Sequence, residues 1–478
     1  MNPSLKMQTQ NSSLIEKEVV KFRKSKCIQG KFWFHILLTI SFVCLSSFLT
    51  SDQDAWGQSQ TQTDSANASD IDKPFLIDSS LKIEPVATGF DFPTSIDFLG
   101  NNDFLLLEKN TGNIFRVVDR NMSLVTHLNV SFKDERGLLG ITVKDDNKSN
   151  NGDKFVFLFY TYCPKVKTDM KDASDCGNYV YRYKFDSENN KLLEPKLILK
   201  LSALPGPSHN GGVLIQDNEE NLFVTTGDVQ STAFNRNQTG YDTKAQNIIN
   251  GTFPDGRAGI LRFTSEGKPV GNGVLGKEYP LNLYYAYGIK NSFGIGIDPI
   301  SGKLWDTENG PQFGDEINLV DEGFNSGWEK VQGIWKLNQT RARGDTYYEG
   351  DSQIRLEDFD GKGKYSSPEF VWDKPVGPTA LTFLGSDKLG EKYENDMFVG
   401  SVKKGKIYHF DLSNDRKSLI LKDELADLML NKKDDSSKII FGENFGIITD
   451  LAVGPDGYLY VVSGIRGTDE GAVYRIVK

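Results

Sequence analysis

The chain has 478 residues and a formal net charge of −10 at pH 7, which argues against a nucleic-acid partner, since such a partner needs a basic face. Its 38% hydrophobic and 11% aromatic content is that of a globular protein, and the length suffices for one large domain or two.

The N-terminus sets the compartment. Residues 17–26 are basic (KEVVKFRKSK), residues 32–49 form an apolar run interrupted by His35 and a few hydroxyls, and Asp52 and Asp54 follow. A basic flank, an apolar run and an acidic exit predict insertion with the N-terminus in the cytoplasm. A spanning helix takes about 17–25 residues and a cleaved signal core about 7–15, and no small-x-small cleavage site follows the run. The expectation is a basic cytoplasmic tail over 1–31, a transmembrane anchor or uncleaved signal segment over 32–50, and a disordered polar linker over 51–74, rich in Gln, Ser, Thr and Asp. The remaining residues, 75–478, then lie outside the cytoplasm. They are tethered to the cell membrane by a single span, or secreted if the segment is cleaved. Acceptor sequences Asn-x-Ser/Thr at Asn67, Asn121, Asn129, Asn147, Asn237, Asn250 and Asn338 agree with export. Cys163 and Cys176 bracket a polar loop; in an oxidising compartment they read as a disulfide, the alternative being two free thiols.

From residue 81 onward one pattern recurs: an alternating apolar strand, a polar turn, a second apolar strand, a gap and a third strand. It occupies 93–108 with 114–118, 138–162 with 179–185, and 212–228 with 259–263. It returns at 293–308 with 316–320, 378–402 with 406–412, and 449–464 with 472–477. Six copies without a helical period predict an all-β chain forming a six-bladed β-propeller; a β-sandwich would not repeat this order six times. Residues 81–87 (LKIEPVA) have no partner of their own and are expected to add the outer strand of the last blade, closing the ring and removing two exposed edges.

The stretch 287–328 carries the most specific signal. Its Phe293, Ile295 and Ile297 alternate, Asp298-Pro299-Ile300-Ser301-Gly302 reverses the chain, and a second segment ends at Trp305. Glu308-Asn309-Gly310-Pro311 then puts Gly and Pro at a strand end, where two carbonyl oxygens can face one point and suit a hard cation. From Gly288 to Trp328 the spacing of Gly, Asn, Pro-x-x-Gly-x-Leu-Trp, Glu-Asn-Gly-Pro, Asp-Glu-Ile-Asn and Gly-x-Asn-x-Gly-Trp resembles the glucose/sorbosone dehydrogenase family of soluble quinoproteins. The resemblance extends over roughly 81–478 and implies a six-bladed propeller that oxidises an aldose with pyrroloquinoline quinone (PQQ) and calcium.

Carried over by position, it implies that His209, in Ser208-His209-Asn210-Gly211-Gly212, is the general base for the hemiacetal hydroxyl, a task imidazole suits near neutral pH. Glu135, Lys290, Asn291 and Lys403 fall at positions beside the quinone. Lys290 stands where an arginine is usual and so lacks the bidentate fork. Gly310 and Pro311 match the carbonyl ligands of calcium. One departure bears on the cofactor: Ile447 and Thr449 occupy the places of two arginines that pair with quinone carboxylates. Each charge-assisted contact is worth roughly 1.5–3 kcal/mol, so losing both predicts binding weaker by roughly two to four decades, unless another cation such as Lys404 or Arg466 substitutes.

The primary reading is an exported, membrane-tethered aldose dehydrogenase with a small sugar substrate, an unidentified electron acceptor and no nucleic-acid partner. The alternative is a propeller without catalysis that binds a protein or glycan after losing its quinone contacts. A calcium-dependent lactonase using Glu108, Glu135, Asp228 and Glu308 ranks third.

Overall fold

The second strand of each repeat is buried on both faces, and this decides the architecture. In Asp103–Glu108, Phe104 and Leu106 enter one buried cluster with Phe90, Tyr460 and Val462, while Leu105 and Leu107 enter another with Leu138, Ile141 and Leu158. In Lys154–Tyr162, Val156 and Leu158 share that second cluster, and Phe157 and Phe159 pass into a third with Leu261 and Phe263. A strand buried on both faces must lie between two neighbouring sheets. Each fully buried Leu or Phe contributes roughly 1.5–3 kcal/mol to that stacking.

The computed structural model describes residues 73–145, 153–164, 176–230, 241–338, 340–465 and 468–478. The expected tail and anchor, nearly all of the linker, Arg466, Asn67, Asn147 and Asn237 lie outside the described residues. Among the described residues no helix is long and apolar enough to cross a membrane.

The strands form six sheets of four to six strands each, and a smaller three-stranded sheet. Sheet 1 begins with Pro93–Gly100, sheet 2 with Leu138–Asp145, sheet 3 with Leu214–Gln216, sheet 4 with Ser292–Ile297, sheet 5 with Pro378–Phe383 and sheet 6 with Ile447–Val453. These first strands pack side by side in a ring, the arrangement of a β-propeller with the six repeats as blades. Hydrogen bonds stitch neighbouring blades at that level. Thr94 Oγ1 donates to Leu138 O (2.8 Å), Val143 N to Asp97 Oδ2 (2.6 Å), and Ser95 Oγ and Ile96 N to Asp450 Oδ2 (2.8 and 3.0 Å).

Closure follows the sequence expectation and extends it. Lys82–Phe90 pairs antiparallel with Gly471–Val477, with Lys82 opposite Val477, as the outer strand of sheet 6. Phe75–Leu76 further pairs with Ile440–Glu443 at the edge of sheet 5. The six-copy pattern does not foresee the three-stranded sheet, Val331–Gln332, Trp335–Leu337 and Arg343–Thr346, inserted after sheet 4's third strand. Its strands are too short to carry a period. Cys163 and Cys176 are joined in a disulfide, which decides between the two readings of that pair.

Candidate active site

Residues that enter the first strand of a blade and residues that leave its second strand meet on one face of the ring. Two blades show the common use of this geometry. Glu108 ends the second strand of sheet 1 and accepts the backbone N–H of Asp91 (2.8 Å); Glu308 ends that of sheet 4 and accepts the N–H of Lys290 (2.8 Å). In both, a carboxylate fixes the turn that feeds the first strand.

Sheet 3 departs from this use. There the acid is Asp228, just past Leu222–Thr226, and its Oδ1 lies 2.7 Å from His209 Nδ1. Its Oδ2 accepts Trp328 Nε1–H (2.8 Å), and Gln230 N also donates to Oδ1 (2.9 Å). Burial alone would raise the Asp228 pKa, but the adjacent His209, with Lys290 and Arg341 nearby, outweighs it and holds the carboxyl below its ordinary value. With Asp228 ionised, Nδ1 of His209 carries the proton and Nε2 the lone pair. Lys290 Nζ sits 3.0 Å from that Nε2.

His209 is buried and has φ +60°, a left-handed conformation costing an L-residue roughly 1–2 kcal/mol. Its N–H donates to Glu135 Oε2 (2.5 Å) and its carbonyl accepts Val229 N–H (3.2 Å), and these bonds hold the strained position. Asn291 Nδ2 donates to the same Glu135 oxygen (3.0 Å). Burial pushes Glu135 up to about 7, against the pull of His209 and Lys290. Four sequence-predicted residues, Glu135, His209, Lys290 and Asn291, thus form one buried network from sheets 2, 3 and 4.

Gly310 and Pro311 lie one step around the ring. Asn309 N donates to Asn291 O (2.8 Å), and Gly310 N to Asp315 Oδ1 (2.9 Å). A Cβ on Gly310 would fall 2.0 Å from Phe313 O, so only glycine makes this turn. Lys403 stands apart from the network: it is exposed and donates to Pro375 O (2.6 Å). Its connection runs through Asp315, whose Oδ2 accepts Val376 and Gly377 N–H (2.7 and 2.8 Å).

Three buried oxygens, Glu135 Oε1, Asn291 Oδ1 and Asn309 Oδ1, have no hydrogen-bond partner among the described residues. Buried oxygens left without donors suit a hard cation or a ligand rich in N–H and O–H groups, so in chemistry these oxygens and the Gly310 and Pro311 carbonyls fit calcium. A small recess of about 60 Å³, which Glu135 also lines, takes residues from every sheet, among them Ser95, Leu139, Val213, Phe293, Thr379 and Thr449. Thr449, in the place of an expected arginine, therefore faces the recess itself. Lys404 is exposed and does not line the recess.

The acids proposed for a lactonase are not gathered in this way. Among the described residues Glu108, Glu135, Asp228 and Glu308 do not bring their oxygens within reach of one ion. Glu108 is satisfied within its own blade by Asp91 N, Thr111 Oγ1 and Asn113 Nδ2. Sequence reasoning missed the pairing of Asp228 with His209 and Trp328. The signal available was its position, an acid just past a second strand as in sheets 1 and 4.

The fold and this face define a β-propeller with a buried Asp-His-Lys array on one face of its ring. The family described as "Glucose / Sorbosone dehydrogenase" matches residues 90–475, and the chain belongs to it. It is similar to aldose sugar dehydrogenase YliI of Escherichia coli, at 22% identity over 80% of this chain and 90% of that protein. It is similar also to quinoprotein glucose dehydrogenase B of Acinetobacter calcoaceticus, at 24% identity over 92% and 94%. Among solved structures, the apo soluble aldose sugar dehydrogenase of Escherichia coli matches with a TM-score of 0.60 and 21% identity over 83% of this chain and 99% of that one. The PQQ-bound aldose sugar dehydrogenase of Streptomyces coelicolor matches at 0.54 and 18%, over 83% and 98%.

Proposed function

We propose that this protein is a quinoprotein that oxidises the hemiacetal hydroxyl of an aldose, with His209 as the base. The observation that carries the reading is the Asp228–His209–Lys290 array, buried where strand ends of sheets 3 and 4 meet in a member of this family. When bound, PQQ with its calcium supplies the two-electron acceptor that takes the hydride from the sugar carbon. Gly310 and Pro311 carbonyls would hold the calcium, and Glu135, Lys290, Asn291 and Lys403 would surround the quinone.

The oxidation removes one hydride from carbon and one proton from oxygen, and the second of these falls to the protein. Asp228 accepts the Nδ1–H and so aims the Nε2 lone pair of His209 outward. A sugar hydroxyl entering at Nε2 would give its proton there, and Asp228 would stabilise the imidazolium. Lys290, now bonded to Nε2, would be displaced onto the substrate oxygen and stabilise charge developing on it. Burial of this array keeps water from competing for the proton.

The apolar run at 32–49, the polar residues after it and the exposed acceptor sites Asn121, Asn129, Asn250 and Asn338 support export and attachment to a membrane by an N-terminal segment. The second reading, a propeller that binds a partner without catalysis, is favoured by Ile447 and by Thr449 at the recess. Calorimetric titration of the full chain with PQQ, with calcium and then with a chelator, followed by an aldose and dye assay, separates the two. Calcium-dependent binding with dye reduction is expected. Absence of binding at high micromolar quinone from folded protein would overturn the enzyme reading in favour of the second.

A further inference from the structure

Sheet 5 carries a second group of ligand-type side chains, at the end of its blade away from the His209 face. Its second strand, Met397–Ser401, pairs antiparallel with its third, Ile407–Phe410, with Phe398 opposite His409 and Met397 opposite Phe410. Carried one position further, that register sets Asp396, just before the second strand, opposite Asp411, just after the third. Side chains alternate across a strand, so Asp396, His409 and Asp411 share one side of the sheet. The active-site face lies where second strands end, and this triad lies where one begins.

His409 Nε2 is 2.9 Å from Asp396 Oδ2 and 3.5 Å from Asp411 Oδ1, and one ligand atom of each residue lies within 4.8 Å of the other two. A tetrahedral zinc with bonds of roughly 2.0–2.2 Å keeps its ligand atoms roughly 3.3–3.6 Å apart. One separation falls inside that range and the other just below it, and the exposed Asp411 carboxyl can turn to complete the third edge. The imidazole is held in place by aromatic rings, with Tyr393 and Phe398 each 5.1 Å and Phe441 6.5 Å from it between centroids. The backbone fixes the acids: Asp396 N–H donates to Tyr393 O (3.3 Å), Asp396 O accepts Leu384 N–H (3.0 Å) and Asp411 O accepts Ile420 N–H (2.8 Å).

Charge points the same way. Among the described residues neither carboxylate forms an ion pair with Lys or Arg, and Lys422 acts on Asp411 only through its field. An imidazolium would balance one carboxylate and leave the other, whereas a divalent cation balances both. An imidazole among the ligands separates this set from the all-oxygen sites of calcium and magnesium.

We propose that Asp396, His409 and Asp411 form a site for a divalent metal of the zinc class, with three protein ligands and water at the fourth, exposed position. The metal joins the start of the second strand of sheet 5 to the end of its third. The site is independent of the quinone and its calcium, and it stands or falls apart from the quinoprotein reading.

The test is calorimetric titration of the full chain with zinc chloride, with calcium in excess to occupy oxygen-rich sites, repeated on Asp411→Asn and His409→Phe. Phenylalanine keeps a ring against Tyr393 and Phe398 and removes the nitrogen. Removing a residue that only hydrogen-bonds a metal ligand costs roughly 10- to 100-fold in metal affinity, so each variant should bind zinc more weakly by at least that factor. Cobalt(II) in place of zinc should give the visible absorption of a tetrahedral centre in the original chain and in neither variant. Zinc should raise the melting temperature of the original chain by more than that of either variant. Should His409→Phe fail to fold, Asp411→Asn, altered at an exposed side chain, carries the test alone. Absence of binding at high micromolar zinc by the original chain overturns the proposal and leaves the triad as an ion pair bridged by a proton. Equal zinc affinity in the original chain and Asp411→Asn also overturns it, since the metal would then sit elsewhere, for instance at His209.

Discussion

Asp228 and Lys290 take opposite ends of one imidazole, so the base is defined by three residues rather than by His209 alone. Replacing Asp228 by Asn keeps the size but allows the amide to present N–H to Nδ1. The proton can then sit on Nε2, the wrong nitrogen for a base, and Trp328 Nε1–H loses a charged acceptor. Asp228→Asn should lower kcat by roughly 10²- to 10⁴-fold with little change in the thermal melt, and His209→Gln should abolish turnover while leaving quinone binding nearly intact. Steady-state kinetics beside calorimetry checks both, and unchanged turnover in His209→Gln would remove it from the role of base. The histidine was legible from its place before a first strand and from the family resemblance. The pairing of Asp228 with His209 and Trp328 was not read, because the three lie 19 and 100 positions apart, and only the ring brings strand ends of different blades together.

Sheet 4 carries its charges differently. Asp306 and Glu308 on one strand and Glu316 on the next are buried, with Glu308 directly opposite Glu316. Burial pushes Asp306 to about 7 and Glu316 to about 8. Glu308 is pushed well above its ordinary value, chiefly by burial and then by the Glu316 and Asp306 carboxyls. An acid whose folded pKa is raised binds its proton more tightly in the native state. Its contribution is intact below the unfolded pKa near 4–4.5 and is lost as pH rises through the folded value. Metal-free protein should therefore melt lower at pH 8.5 than at pH 5.5, with these acids accounting for on the order of a few kcal/mol. Glu316→Gln should flatten that slope, because a glutamine oxygen can still accept from Gln332 Nε2 (2.7 Å) and Gly333 N. Melts in chelator at the two pH values check this; an equally steep slope in the variant would show that the titration belongs elsewhere. The strand carrying Asp306 and Glu308 was legible from its hairpin, but the burial of its acids was not. An alternating pattern assigns polar residues to a wet face, whereas a blade's second strand has none.

At the scale of the whole ring, the first described strands decide whether six sheets form a closed structure. Residues 81–87 were legible as a closing strand because they had no partner in their own repeat. The pairing runs on to Phe90 because that side chain is needed between sheets 6 and 1. Phe75–Leu76 was not read, since a two-residue strand has no period. These segments have unequal weight, and graded truncation separates them. Removing residues 1–80 strips the edge pair with Ile440–Glu443 and the Asp78 contacts to Lys392 (2.7 Å) and Tyr393 (3.1 Å), all at the periphery of sheet 5. That loss should cost roughly 1–3 kcal/mol and leave a cooperative melt. Removing residues 1–90 takes Leu81 and Ile83 from the core between sheets 5 and 6 and Phe90 from the core between sheets 6 and 1. It also leaves Gly471–Val477 as a bare edge. Two cores open at once, with each buried side chain worth roughly 1.5–3 kcal/mol against a total stability of about 5–15 kcal/mol. The longer truncation should show no cooperative transition by circular dichroism and should elute as aggregate, while the shorter one melts a few degrees below the full chain. If both melted alike, the ring would be held by its blade-to-blade contacts alone, and the strand Lys82–Phe90 would be only an edge cover.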